Sequence, residues 1–131
     1  MAKILIVDDD PDIVEAATLF LEREGFEVVS ASNREAGMEA VKGEKPDLLI
    51  LDVMMERPDD GMAMAQDLRR AGCALPILML TSINKVVGME YGVDDDLVPV
   101  DAFREKPIEP EVLIKTVNEL LTLKGAPPAA K

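Results

Sequence analysis

Several side chains able to handle a metal ion or a phosphoryl group stand at the ends of short apolar runs. Asp8 and Asp9 follow Ile4–Val7, and Asp52 follows Leu48–Leu51. Thr81 follows the run from Leu75 to Leu80, and Lys106 closes the short run that begins at Ala102. Brought into one cleft, Asp8, Asp9 and Asp52 would repel one another and take up protons unless a cation offset their charge. All-oxygen ligation by few protein groups suits Mg2+. Phosphoryl transfer asks a protein for little beyond positioning and neutralising the oxygens of the moving group. A carboxylate can itself accept that group as an aspartyl phosphate. Asp52 is the candidate acceptor: the metal would hold it and one phosphoryl oxygen, while Lys106 and Thr81 take the others.

Each group taken alone has a plainer meaning. Asp8 to Asp10 could simply open a helix, Thr81-Ser82 could cap one, Lys106-Pro107 could be a surface turn, and Asp52 a solvated carboxylate. The informative feature is their joint occurrence at the carboxyl ends of separate apolar strands. In an open parallel sheet those ends lie along one edge, where ligands bind.

The elements that must position these groups follow from periodicity and punctuation. Leu48–Leu51 is an unbroken apolar run introduced by Pro46-Asp47, the pattern of a fully buried parallel strand. Lys3–Val7 is a first strand. Asp10 then caps a helix with Pro11 in its first turn, Ile13, Ala16, Ala17, Phe20 and Leu21 on one face, and Gly25 at its close. Phe26–Ala31 is a more mixed strand, expected nearer the sheet edge. Asn33 caps a second helix reaching about Val41, with Gly43 ending it. A third helix is expected from about Met62 to Ala71, a strand over Leu75–Leu80, and a marginal helix from Asn84 to Tyr91 with Gly88 inside it. A short strand runs from Ala102 to Glu105, and Pro110 starts a last helix with Leu113, Val117, Leu120 and Leu121 on one face. The alternation implies a three-layer α/β fold: a five-stranded parallel sheet, helices on both faces and right-handed crossovers. Residues 1–124 form one domain, and 125–131 read as a disordered tail.

Composition narrows the chemistry. The chain has 131 residues, the size of one domain with one core. It contains no histidine. That excludes a Ser-His-Asp triad, a histidine-bound zinc site and a phosphohistidine carrier within this chain. Cys73 is the only cysteine, so no disulfide forms within the chain, and it reads as a spare thiol. The net charge of −12 argues against binding nucleic acid or an anionic membrane through this chain. No apolar run approaches the ~18 residues of a membrane span, and Met1-Ala2-Lys3 leads straight into the first strand without a signal-peptide pattern. A cytoplasmic protein is the expectation.

The chain resembles the response-regulator receiver domains of two-component signalling, the CheY-like family, over about residues 3–123. The resemblance rests on Ile4–Pro11, Asp47–Met55, Asp60-Gly61, Pro76–Ser82 and Phe103–Pro107. It implies a doubly wound (βα)5, flavodoxin-like fold and a phosphorylation-dependent switch. By that resemblance Asp52 is the phosphoacceptor, Asp9 a direct Mg2+ ligand, Asp8 a ligand through water, and the Met54 backbone carbonyl a third ligand. Thr81 and Phe103 resemble the switch pair, Lys106 the phosphate-binding lysine, and Pro107 the residue that often follows it through a cis bond. The implied partners are a histidine kinase or histidine phosphotransfer protein, which must supply the phosphohistidine, and a downstream protein target. With no effector segment after residue 123, a stand-alone receiver is expected, catalysing only its own phosphoryl transfer and dephosphorylation.

The chain departs from the family pattern in two places. Glu56 stands where the loop after the acceptor usually carries proline, and that loop is slightly long before Asp60-Gly61. The stretch from Thr81 to Lys106 is also long, and Gly92–Asp101 replaces the usual Gly-Ala-Asp-Asp-Tyr ending. Two other function classes compete with the switch. An aspartate-nucleophile phosphohydrolase would typically place a second aspartate two residues after the nucleophile, where this chain has Met54. A receiver used only as an interaction module is disfavoured by the intact acceptor, acidic pair and lysine. Apolar Met54 and Ile83 beside the acceptor predict slow self-dephosphorylation, since neither orients a water.

Overall fold

The computed structural model describes residues 2–52, 60–82, 102–106 and 109–123. Its elements run β1 (Lys3–Val7), α1 (Pro11–Arg23), β2 (Glu27–Ala31), α2 (Arg34–Glu44), β3 (Leu48–Asp52), α3 (Asp60–Arg70), β4 (Ile77–Ser82), β5 (Ala102–Lys106) and α4 (Pro110–Leu123). The five strands form one parallel sheet in the order β2-β1-β3-β4-β5. The mixed strand β2 lies at one edge, as its sequence implied. The expected helix over 84–91 and the tail over 125–131 lie outside the described residues.

Alternation along the strands builds the two faces. Ile4, Ile6, Leu48, Ile50, Leu78 and Leu80 face α1 and α4, meeting Ala17, Leu21, Leu113, Val117 and Leu121. Leu5, Val7, Leu49, Leu51, Ile77 and Met79 face the other way, toward Met64, Ala65 and Leu68 of α3 and the half-buried Met38 and Val41 of α2. Every residue of β3 is buried. Burial of each large apolar side chain there is worth roughly 1.5–3 kcal/mol. A strand sandwiched between two helical layers needs apolar residues at both parities, which is why this run carries no alternation.

Helix ends follow local chemistry. The Asp10 side chain accepts from the Asp12 N–H at 3.0 Å, with Pro11 next, as expected for α1. Gly25 turns the chain at φ 93°. Asn33 accepts from the Ala36 N–H at 2.8 Å and caps α2. The end of α2 differs from expectation: the helix runs through Gly43 to Glu44, and Lys45 makes the turn at φ 51°. Pro46 accounts for the helix stopping at Glu44, because the right-handed helical region is disfavoured for a residue before proline. The third helix begins at Asp60 rather than Met62, and β4 is shifted to Ile77–Ser82 from the expected Leu75–Leu80.

Polar ties hold the layers in register. Asp47 brackets the start of β3: its Oδ2 accepts from the Lys3 N–H at 2.8 Å, and its own N–H donates to the Lys3 carbonyl at 2.7 Å. Arg34 at the head of α2 pairs with Asp67 of α3. Arg69 donates to the carbonyls of Cys73 at 3.0 Å and Leu75 at 2.7 Å, fixing the turn between α3 and β4.

Candidate metal and phosphoryl site

The site begins with strand register. Val7 of β1 pairs with Leu51 of β3, so Asp8 and Asp52 each stand one step further along neighbouring strands. Asp52 pairs with Leu80 of β4. Thr81 pairs with Glu105, and Ser82 with Lys106. The strand ends named from the sequence therefore occupy one edge of the sheet, with Thr81 one step and Lys106 two steps beyond the level of Asp52. Thr81, Phe103 and Lys106 are placed by their backbones only; their side chains, and Met54, Ile83 and Pro107 entirely, lie outside the described residues.

The three carboxylates do come together. Asp8, Asp9 and Asp52 each offer an oxygen, and these oxygens all lie within 4.8 Å of one another. Asp8 and Asp52 are each only 2% exposed, whereas Asp9 is open to solvent. One oxygen of Asp52, Oδ2, is wholly enclosed. Two buried carboxylates with a third at the mouth form an acidic, oxygen-only donor set, which fits a hard divalent cation entering from the solvent side.

Local geometry explains how Asp8 is held. Its N–H donates to the Ala31 carbonyl of β2 at 3.1 Å. Its Oδ1 accepts from the Asp10 N–H at 2.9 Å. The Asp8–Asp10 run thus does two jobs at once. Asp8 belongs to the cleft, and Asp10 belongs to the helix cap, so the third aspartate is not a member of the donor set. The short polar side chain accepting from a backbone two residues on is the sequence signal for this turn, and it is legible in the run itself.

A family model described as "Response regulator receiver domain" matches residues 4–118. The chain is 38% identical over 123 residues to the alkaline phosphatase synthesis transcriptional regulatory protein PhoP of Bacillus subtilis, covering 91% of this chain and 48% of that one. It is 34% identical over 126 residues to Protein PilH of Pseudomonas aeruginosa, covering 92% of this chain and 98% of that one. Apart from PilH, the chain spans about half the length of the first curated relatives it matches. Among solved structures, the chemotaxis protein CheY4 of Vibrio cholerae superposes with a TM-score of 0.78 at 28% identity, over 92% of this chain and 99% of that one.

Proposed function

The chain belongs to the response regulator receiver domain family of two-component signalling, and on that footing we propose that it is a phosphorylation-controlled switch with Asp52 as its phosphoacceptor. The observation that carries this is the set of three carboxylates within 4.8 Å, at the carboxyl ends of two adjacent parallel strands.

Asp52 attacks the phosphorus of a phosphohistidine on a partner kinase or phosphotransfer protein. A P–O bond forms, the P–N bond breaks, and the bond's electrons return to the partner's imidazole. Asp9, Asp52 and the Met54 carbonyl would hold Mg2+, with Asp8 reaching it through water. When bound, the ion would offset the charge on the oxygens of the transferred group. Lys106 pairs with a further phosphoryl oxygen. Thr81 moves toward the new group and Phe103 follows inward, a local charge event that biases a two-state element. The stretch 83–101 and the last helix form the output face for a downstream protein. The chain catalyses only its own phosphorylation and a slow dephosphorylation, works in the cytoplasm, and contacts neither nucleic acid nor membrane through this acidic surface.

The test is incubation with acetyl phosphate and Mg2+ followed by intact-mass measurement. One phosphoryl group is expected on the wild type, none without Mg2+, and none on Asp52→Asn. Equal labelling of wild type and Asp52→Asn would remove Asp52 from its role.

A further inference from the structure

The two faces of the sheet are lined by different chemistry. The α1/α4 face is built from Ile, Leu, Val, Ala and Phe and contains no sulfur among its described residues. Every sulfur atom among the described residues lies on the α2/α3 face: Met38, Met62, Met64, Met79 and Cys73. Met64 and Met79 are fully buried, and Met38 and Met62 are half-buried. The Met64 terminal methyl lies 3.0 Å from where a Cβ on Gly37 would stand. A thioether of α3 therefore lies directly over the backbone of α2, next to Met38. Unbranched thioethers adapt to irregular gaps and specify packing weakly, so this layer adds soft contacts to its branched aliphatic ones, whereas the opposite layer shows only aliphatic and aromatic side chains among its described residues.

We infer that Met38 and Met62 are oxidation sites through which a hydroperoxide loosens α2 and α3 while leaving the α1/α4 layer intact. The thioether sulfur attacks one oxygen of hydrogen peroxide: an S–O bond forms, the O–O bond breaks, and the remaining oxygen leaves as water after proton transfer. Sulfur is oxidised by two electrons and the peroxide is reduced. The sulfoxide places a strong dipole on a side chain packed against the apolar cluster of this face, and burial without a hydrogen-bond partner disfavours it. Met64 and Met79 are fully buried, so an oxidant reaches them more slowly than the half-buried Met38 and Met62. A methionine sulfoxide reductase reverses the change.

The experiment treats the full chain with hydrogen peroxide, follows each methionine by peptide mass mapping, and reads Tm and amide exchange. Met38 and Met62 are expected to gain oxygen well before Met64 and Met79. With both oxidised, Tm falls by about 5 °C, and exchange speeds up in α2 and α3 but not in α1 or α4. Reductase treatment restores Tm. The Met38→Leu/Met62→Leu double variant, nearly volume-conserving, loses the Tm response. Equal oxidation rates for all four methionines, or a Tm fall that persists in the double variant, would overturn the inference.

Discussion

Asp8 and Asp52 stand side by side, each one residue past the rung on which Val7 pairs with Leu51. Each is 2% exposed. Their proximity is a product of sheet register, so it persists whether or not a cation is bound.

Divalent cations should therefore stabilise the fold. At about 100 times its dissociation constant, Mg2+ is expected to add about 2.7 kcal/mol. Urea denaturation with MgCl2, with EDTA, and with NaCl at matched ionic strength checks this. Equal midpoints in all three would show that the acidic cluster holds no cation.

Asp52→Asn should change sign with the metal. Removing one charge from the cluster of three is expected to stabilise the metal-free protein by about 1–2 kcal/mol. With saturating Mg2+ the order reverses, because the variant lacks a ligand and gains little. Denaturation curves of both proteins in both buffers decide it. A variant less stable than wild type in EDTA would contradict this account of the cleft.

Arg69 is a residue that lysine does not replace. One guanidinium nitrogen, Nη1, donates to the carbonyls of both Cys73 and Leu75, and the planar group that carries it differs in shape from a lysine ammonium. Arg69→Lys is expected to cost about 1–2 kcal/mol, read as a lower urea midpoint with an unchanged slope. A loss no larger than that of a surface lysine substitution would mean that the pair of bonds from Nη1 is not needed.

The Lys3 ammonium lies 3.2 Å from Glu44 and 3.3 Å from Glu27. Its pKa is raised above the ordinary 10.5, chiefly by the hydrogen bond to Glu44 and then by that to Glu27. The folded chain holds this proton more tightly than the unfolded chain does. The resulting stabilisation is complete below pH 10.5 and is lost as pH rises through the raised folded value. From neutral pH up to 10.5, Lys3→Met should therefore differ from wild type by a constant amount, with the gap closing above it. A gap that widens on alkalinisation would reverse the assigned cause.

Much of this geometry is legible in the sequence. An apolar run with no alternation, such as Leu48–Leu51, declares a strand covered on both faces, and a carboxylate at its end declares an edge site. Asp10 and Asn33 declare their caps. The end of α2 was harder, because Gly43 is the conspicuous helix breaker, while the residue that turns is Lys45, the residue before Pro46. Arg69 gave no local signal at all: its partners are carbonyls of the following turn, and only the folded path of α3 brings them within reach. The sulfur-bearing layer was equally silent. Its methionines are scattered from Met38 to Met79 and share a face only once the strands are paired.

The strand order carries a consequence for how the protein is made. β1 does not settle against β2 alone; its other neighbour is β3, which is synthesised only after β2 and α2 have both emerged. Asp8 and Asp9 are thus translated long before Asp52 exists to complete their set. Pairings of this kind form late and slowly because the intervening loop must first be closed. A nascent chain or a fragment ending before β3 holds its share of the acidic residues without the cleft, which is complete only once Asp52 stands beside Asp8.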